Sequence, residues 1–260
     1  MKYFNIFIFL AYFHGISQVT EVQYNSYTNF GLPVTTQWTL VFDKNESYFL
    51  KEPKNNNGEK NNMFNVKKTA SKHKLNVINY KVDFINFYRH DFVKDSLYSQ
   101  VGILDQPYYV HEKIPELKWE IQEDVKTINN YQCQKAVTTF RGRTYYVWFT
   151  TAISTTAGPW KITGLPGLIL RLENSSSTIV IQAKKIKNLP DENLSELVSF
   201  LKLKGENISI KEFVQLKDNE GDEMAKKMLA KMDIRNSSVS VSKPDERQGF
   251  EKIYEWEEEK

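Results

Sequence analysis

Chemistry in a protein of this kind would have to come from its histidines, its cysteine or an activated serine, so those residues come first. The histidines are His14, His73, His90 and His111, scattered along 260 residues with no HExxH or CxxC spacing among them. A metal site built on short-range ligand pairs is therefore not expected. His90 is followed by Asp91, a neighbouring pair that reads as a surface pair rather than a catalytic dyad. Cys133, the single cysteine, could act as a nucleophile with His111 as its base. It sits mid-strand between Gln132 and Gln134 with no cysteine-hydrolase motif around it, and reads as a small buried hydrophobe. No GxSxG elbow occurs among the serines. No Lys-Ser/Thr follows the glycines of GPWKITGLPG as a phosphate cradle requires. The sequence predicts no catalytic residue, no metal and no cofactor, and the chain reads as a non-enzyme.

The elements that would position any site are mainly strands. Aromatic residues make up 13% of the chain, with 14 Tyr and 16 Phe, and such side chains favour pleated, half-buried surfaces. The segment QWTLVFDKNESYFLK alternates Trp38, Leu40 and Phe42 with polar neighbours, turns at Asp43 to Glu46, and resumes at Tyr48 and Leu50, the pattern of a hairpin. The polar stretch EPKNNNGEKNNMF after it reads as a mobile surface loop. Short β-like runs follow at Leu75 to Val82, Phe84 to Tyr88 and Pro107 to His111. Five further candidate strands, ELKWEIQ, YQCQKAVTTF, TYYVWFT, GLILRLE and STIVIQAKKIK, form a meander, with RGR at Arg141 to Arg143 as a tight turn in which Gly142 takes positive φ.

In TYYVWFT, Tyr145, Val147 and Phe149 face one way and Tyr146 and Trp148 the other, so both faces of this sheet are apolar and something must cover each. Helical spacing begins only after Pro190: Leu194, Leu197, Val198 and Leu201 define one helix, and SIKE at Ser209 is a capping box that opens a second. The expected fold is mainly β, a curved antiparallel sheet in a half-barrel-like meander with C-terminal α-helices.

The N-terminus reads as a signal peptide: Lys2, an apolar run from Tyr3 to Phe13, then Gly15 and Ser17 around a cleavage point. The expected organisation is a signal segment 1–17 cut after Ser17, one β-rich domain over 18–235, and a polar, disordered tail over 236–260. That places the mature chain in the periplasm or the medium, with no transmembrane segment of its own. The 35 basic and 32 acidic residues are well mixed, for a formal net charge of +3, a solvated surface rather than a nucleic-acid footprint.

In GPWKITGLPGLILRLE, Pro166-Gly167 has the order of a type II turn, with Gly167 expected at positive φ and Leu165 extended before proline. The turn delivers the chain into the buried strand that starts at Leu168. With Trp160 upstream, the segment reads as an apolar flap across the open side of the sheet.

These residues carry a resemblance. Gly158-Pro159 followed by Gly164, Leu165, Pro166, Gly167, Leu168 and Ile169, preceded by YQCQKAVTTFRGRTYYVWFT, closely resembles the GLPGLI family, exported proteins of Gram-negative bacteria named for this motif. The likeness runs from about Trp119 to Ile186, with weaker similarity over Trp38 to Leu50 and the C-terminal helices. It implies export and transfers no activity to any residue.

Two functions fit. One is a binding module that holds a hydrophobic ligand, a lipid or lipoprotein, in the curved sheet, as half-barrel carriers do, with Trp148 and Trp160 as ligand-binding residues. The other is an interaction factor supporting an outer-membrane complex or transporter, with the exposed sheet edge or Arg141 and Arg143 as contacts. A hydrolase would need an acid-base cluster that the sequence does not display.

Overall fold

A computed structural model of the chain describes residues 18–53, 64–67, 74–77, 84–104, 106–221, 223 and 247–257. The expected signal segment, most of the asparagine-rich loop and the later part of the second helix lie outside the described residues. The strands are β1 (Val19–Asn29), β2 (Pro33–Phe42), β3 (Glu46–Lys51), β4 (Phe64–Lys67), β5 (Lys74–Val77), β6 (Phe87–Asp91) and β7 (Ser96–Ile103), then β8 (Gln106–Lys113), β9 (Glu120–Ile128), β10 (Tyr131–Phe140), β11 (Arg143–Thr150), β12 (Leu168–Asn174), β13 (Ile179–Leu189) and β14 (Glu206–Ser209). The helical elements bounded among the described residues are α1 (Leu194–Leu197), α2 (Ile210–Asp218) and a 3-10 turn at Glu255–Glu257.

Twelve strands form one sheet in the order β14-β8-β7-β6-β3-β2-β1-β13-β12-β11-β10-β9, while β4 and β5 pair separately. All pairings in the large sheet are antiparallel except β14 on β8. The expected hairpins are present. Asp43 accepts from the amides of Asn45 and Glu46 to close β2 on β3, and Arg141 and Gly142, both at positive φ, join β10 to β11. Four strands, β1, β4, β7 and β14, were not foreseen. β1, a central strand, alternates many small polar residues, and β7 carries Ser, Tyr and Gln at positions a reader of hydropathy takes for loop.

The sheet is strongly curved without closing. The β10–β11 turn lies eight or nine strand positions from β8, a distance of about 40 Å in a flat sheet, yet Arg141 at that turn touches Glu112 of β8 at 2.6 Å. The inner face collects Val22, Tyr24, Leu40, Phe49, Val147, Leu172 and Ile181 into one core. The connection between β11 and β12 folds into this concavity, burying Ala157, Trp160, Ile162 and Leu165 in the same core. On the outer face Val19, Val41, Leu50 and Phe87 are covered by Leu194, Leu197 and Val198. Further along that face, Lys126 lies 3.8 Å from the centre of the Trp148 ring and Lys135 5.3 Å from that of Tyr146, so lysine side chains lie over these aromatics.

Two expectations need correction. The first helix is a single turn, Leu194–Leu197 capped by Asn193, rather than a helix reaching Leu201; the apolar residues that suggested a longer one serve instead to cap the outer core. The second begins at the foreseen capping box on Ser209 and Glu212 and is interrupted at Asn219, with 220 and 221 helical again beyond it. The expected disordered tail, 236–260, contains a docked segment: Tyr254 is 2% exposed and Phe250 packs on the core. Its polar composition hid two aromatic anchors.

Candidate functional site

The GPWKITGLPGL segment is built by close backbone approaches. A Cβ on Gly167 would stand 2.2 Å from the carbonyl oxygen of Thr150, and one on Gly158 would stand 2.1 Å from that of Ile162. Gly167 does not take the positive φ expected of a type II turn; that conformation belongs to Gly164, at +92°. Glycine is required at 167 because main chain passes against it. The Gly164 amide donates to the Thr156 carbonyl at 2.9 Å, the Trp119 indole donates to the Thr163 carbonyl at 3.1 Å, and the buried Tyr24 hydroxyl donates to the Ile169 carbonyl at 2.6 Å. Trp160, at φ +58°, is turned into a box of Phe140, Tyr145 and Phe250, with ring centres 4.8 to 5.8 Å away. A non-glycine residue held there is backbone strain that the surrounding packing must maintain.

Next to Trp160 lies the densest polar chemistry of the described residues. Lys161, 3% exposed, donates to Glu112 at 2.5 Å and to Glu251 at 2.9 Å. Arg141, its side chain 6% exposed, donates to Glu112 at 2.6 Å, to Glu251, and to the more exposed Glu255 at 2.9 Å. Two buried cations thus share two buried carboxylates, drawn from β8, the β10–β11 turn, the motif loop and the 247–257 segment. That segment is held as a strap. The Lys252 and Ile253 amides donate to the Arg141 carbonyl, the Tyr145 hydroxyl donates to the Phe250 carbonyl at 2.5 Å, and Arg247 bridges Asp218 and Glu257.

The electrostatics follow from this packing. Burial alone would raise the Glu251 carboxyl, but Lys161 and then Arg141 outweigh it, and its pKa falls below the ordinary carboxylate value. Burial opposes the charge on Arg141, yet Glu251 and Glu112 raise its pKa further. The phenol of Tyr254 is pushed up by burial and by Glu251. His90, fully buried on the inner face, is lowered to about 3 by burial and by the nearby Lys161 charge; its Nδ1 faces the Ser47 hydroxyl at 3.4 Å and its Nε2 has no protein partner. Each of these shifts moves its group away from neutrality. Such a constellation holds charge in place rather than passing protons.

The residues singled out from sequence do not converge. Trp148 and Trp160 are separated by the sheet: Trp160 contacts Tyr145 on the inner face, and Trp148, three residues on in the same strand, projects from the outer one. Trp160 is core, so the proposed pair of ligand-binding tryptophans is not one site. Cys133 is buried and donates to the Tyr131 carbonyl at 3.4 Å, while His111 is exposed and stacks on Tyr98. His90 and Asp91 point to opposite faces, Asp91 receiving the Lys94 amide. Arg141, expected as an exposed contact, is buried. Among the described residues no group of three or more His, Cys, Asp or Glu is placed to hold a metal ion. The ionic cluster escaped sequence reading because its members are far apart in the chain, and its one local signal was a lysine inside a buried apolar motif.

Two other surfaces adjoin the motif. A shallow, open groove of about 470 Å³ lies on its far side, lined by Phe92, Lys113, Pro115, Leu117, Thr163 and Gly164. β9 ends the sheet, and among the described residues no strand pairs with its outer edge; Ile121 and Val125 there are 49% and 58% exposed.

With this geometry in hand, the chain can be compared with known proteins. The family model for the N-glycanase peptide, N-terminal domain, matches residues 94–206, less than half of the chain. The structure of PNGF-II in a C2 crystal form is 14% identical, with a TM-score of 0.53 over 76% of this chain and 32% of that one. A P21 form gives 0.52 at the same identity, over 76% and 33%. The fold is shared. The chain spans about a third of the length of the PNGF-II chain it matches. A LolA superfamily protein from Nitrosomonas europaea is 11% identical over 73% of this chain and 92% of its own, with a TM-score of 0.28, too low to carry an argument. No curated protein matches the sequence.

Proposed function

We propose that this chain is an exported, non-catalytic binding module of the GLPGLI type that engages another protein through the outer edge of β9. The observation that carries this reading is the β9 edge, unpaired among the described residues, with Ile121 and Val125 half exposed beside it, since such edges accept strands from other chains. The concave face, where a carrier would hold its ligand, is occupied by the motif loop. Likeness to a region named as an N-terminal domain of a longer protein is in keeping with a module that works alongside other domains. The acidic residues Glu120, Glu123 and Asp124 along β9 favour a partner strand of basic character and discourage pairing between copies of this chain.

A second reading, a hydrophobic ligand held outside the concavity, is favoured by the groove beside Gly164, with Phe92, Ile114, Pro115 and Leu117 on its walls. Native mass spectrometry of the chain from Gln18 onward, purified gently from its own envelope, separates the two. A protein adduct present in the wild type and lost in Val125→Pro, with the fold retained, supports the edge reading. A lipid-sized adduct indifferent to Val125→Pro supports the groove. Bare chain in both samples overturns both.

A further inference from the structure

The strap suggests a site that the edge and the groove do not involve. Glu251 reaches two cations that are more than nine-tenths buried, Arg141 and Lys161, and Phe250 beside it lies 4.8 Å from the Trp160 ring. Displacing the strap, and with it Glu251 and Glu255, would leave Arg141 and Lys161 facing Glu112 alone, a cleft with one positive charge in excess. Such a cleft selects a carboxylate, and Arg141 makes the selection geometric because its planar fork engages Glu112 and Glu251 at once. Trp160, Tyr145 and Phe140 supply an aromatic wall for a ring next to that carboxylate. His90, buried and near enough to Lys161 to feel its charge, has an Nε2 without a hydrogen-bond partner among the described residues. The strap itself belongs to no strand of the sheet; it is held by side chains and by the Arg141 carbonyl.

We infer that Arg141, Lys161 and Trp160 form a recognition cleft for a peptide segment bearing an aromatic residue followed by a glutamate, and that Phe250-Glu251 of the strap occupies it as an internal ligand. The occupant in trans is an aromatic-acidic segment of another chain. The strap sets its threshold, because an incoming segment must displace one that is permanently tethered.

The test uses the full chain and a fluorescent synthetic peptide, QGFEKIYEWE, matching Gln248 to Glu257, with a second peptide in which its first glutamate is glutamine. Anisotropy reads binding to the wild type, to Phe250→Ala and to Glu251→Gln. Both variants should bind the first peptide at least about tenfold more tightly than the wild type, because the tethered competitor is weakened, and the glutamine peptide should lose most of that gain. If Glu251→Gln does not fold alone, the first peptide should restore a cooperative melting transition and the glutamine peptide should not. Equal binding to wild type and variants, indifference to the glutamine change, or an unfolded Glu251→Gln chain that the peptide does not rescue would each overturn the assignment. None of these readouts depends on Val125, so this inference and the edge reading fail separately.

Discussion

Lys161 and Glu112 meet at 2.5 Å across the concavity, one from the loop between β11 and β12 and the other from the opposite end of the sheet. Both are nearly excluded from water, so their contact is a condition of the curvature rather than a decoration on it. Truncating one member of a buried pair leaves the remaining charge without compensation. Lys161→Met should therefore destabilise the chain by about 3 to 5 kcal/mol, read as a fall in the urea midpoint at unchanged m-value. The double variant Lys161→Met/Glu251→Gln, which again balances Arg141 against Glu112, should recover part of that loss.

The motif glycines should divide by mechanism. Gly158→Ala and Gly167→Ala force a Cβ to within 2.2 Å of a carbonyl oxygen and should each cost about 4 kcal/mol or more, at the severe end of single substitutions. Gly164→Ala meets nothing closer than the Trp119 indole at 3.7 Å, so its cost is that of a left-handed backbone, about 1 to 2 kcal/mol. Equal losses at all three positions in denaturant unfolding would contradict this division.

Acid should weaken the fold before the carboxylates titrate. The folded pKa of His90 is lowered to about 3 from an ordinary 6.5, so below 6.5 the unfolded chain binds a proton that the folded chain refuses. Stability is complete above pH 6.5 and falls as pH drops towards 3, with a limiting slope of about 1.4 kcal/mol per pH unit. Glu251, also depressed, adds its own loss once the pH passes below the ordinary carboxylate value. Melting temperatures measured from pH 8 to pH 5 should decline, and His90→Gln should flatten that decline even where it lowers stability overall.

Cys133 should be inert in the native state. Its thiol is fully buried and pushed up in pKa chiefly by that burial, so an aromatic disulfide reagent should modify it only on unfolding. Prompt reaction of the folded chain would mean that β10 opens locally.

Much of this fold could be read from local pattern. Trp38 to Phe42 alternates, Gly142 sits where a two-residue hairpin needs it, and Ser209 with Glu212 forms the capping box that the spacing announced. These features are short-range, and short-range geometry is what a sequence displays. The ionic cluster is the opposite case. Residues 112, 141, 161 and 251 come together only because the sheet curls, and charged residues taken one at a time read as solvated surface. Gly167 shows a subtler limit: its need for glycine was legible, but proline-glycine order pointed to a dihedral angle where the cause was the proximity of Thr150. The docking of 247–257 was hidden because Phe250 and Tyr254 stand among lysines and glutamates, where composition outvotes two anchoring rings.

The strap also bears on the order in which the chain acquires its structure. Until Glu251 arrives, Arg141 and Lys161 have a single buried carboxylate between them, so desolvating this corner is unfavourable in any partly formed sheet. Pairing of neighbouring strands can run ahead of this, since the hairpins are local. Contacts spanning 110 and 90 residues come after it, and each long closure must be met from stability already gained. The corner around Trp160 is thus expected to stay hydrated through most of folding and to dry in the final step, which makes retained water there a marker of chains that have paired their strands but not finished.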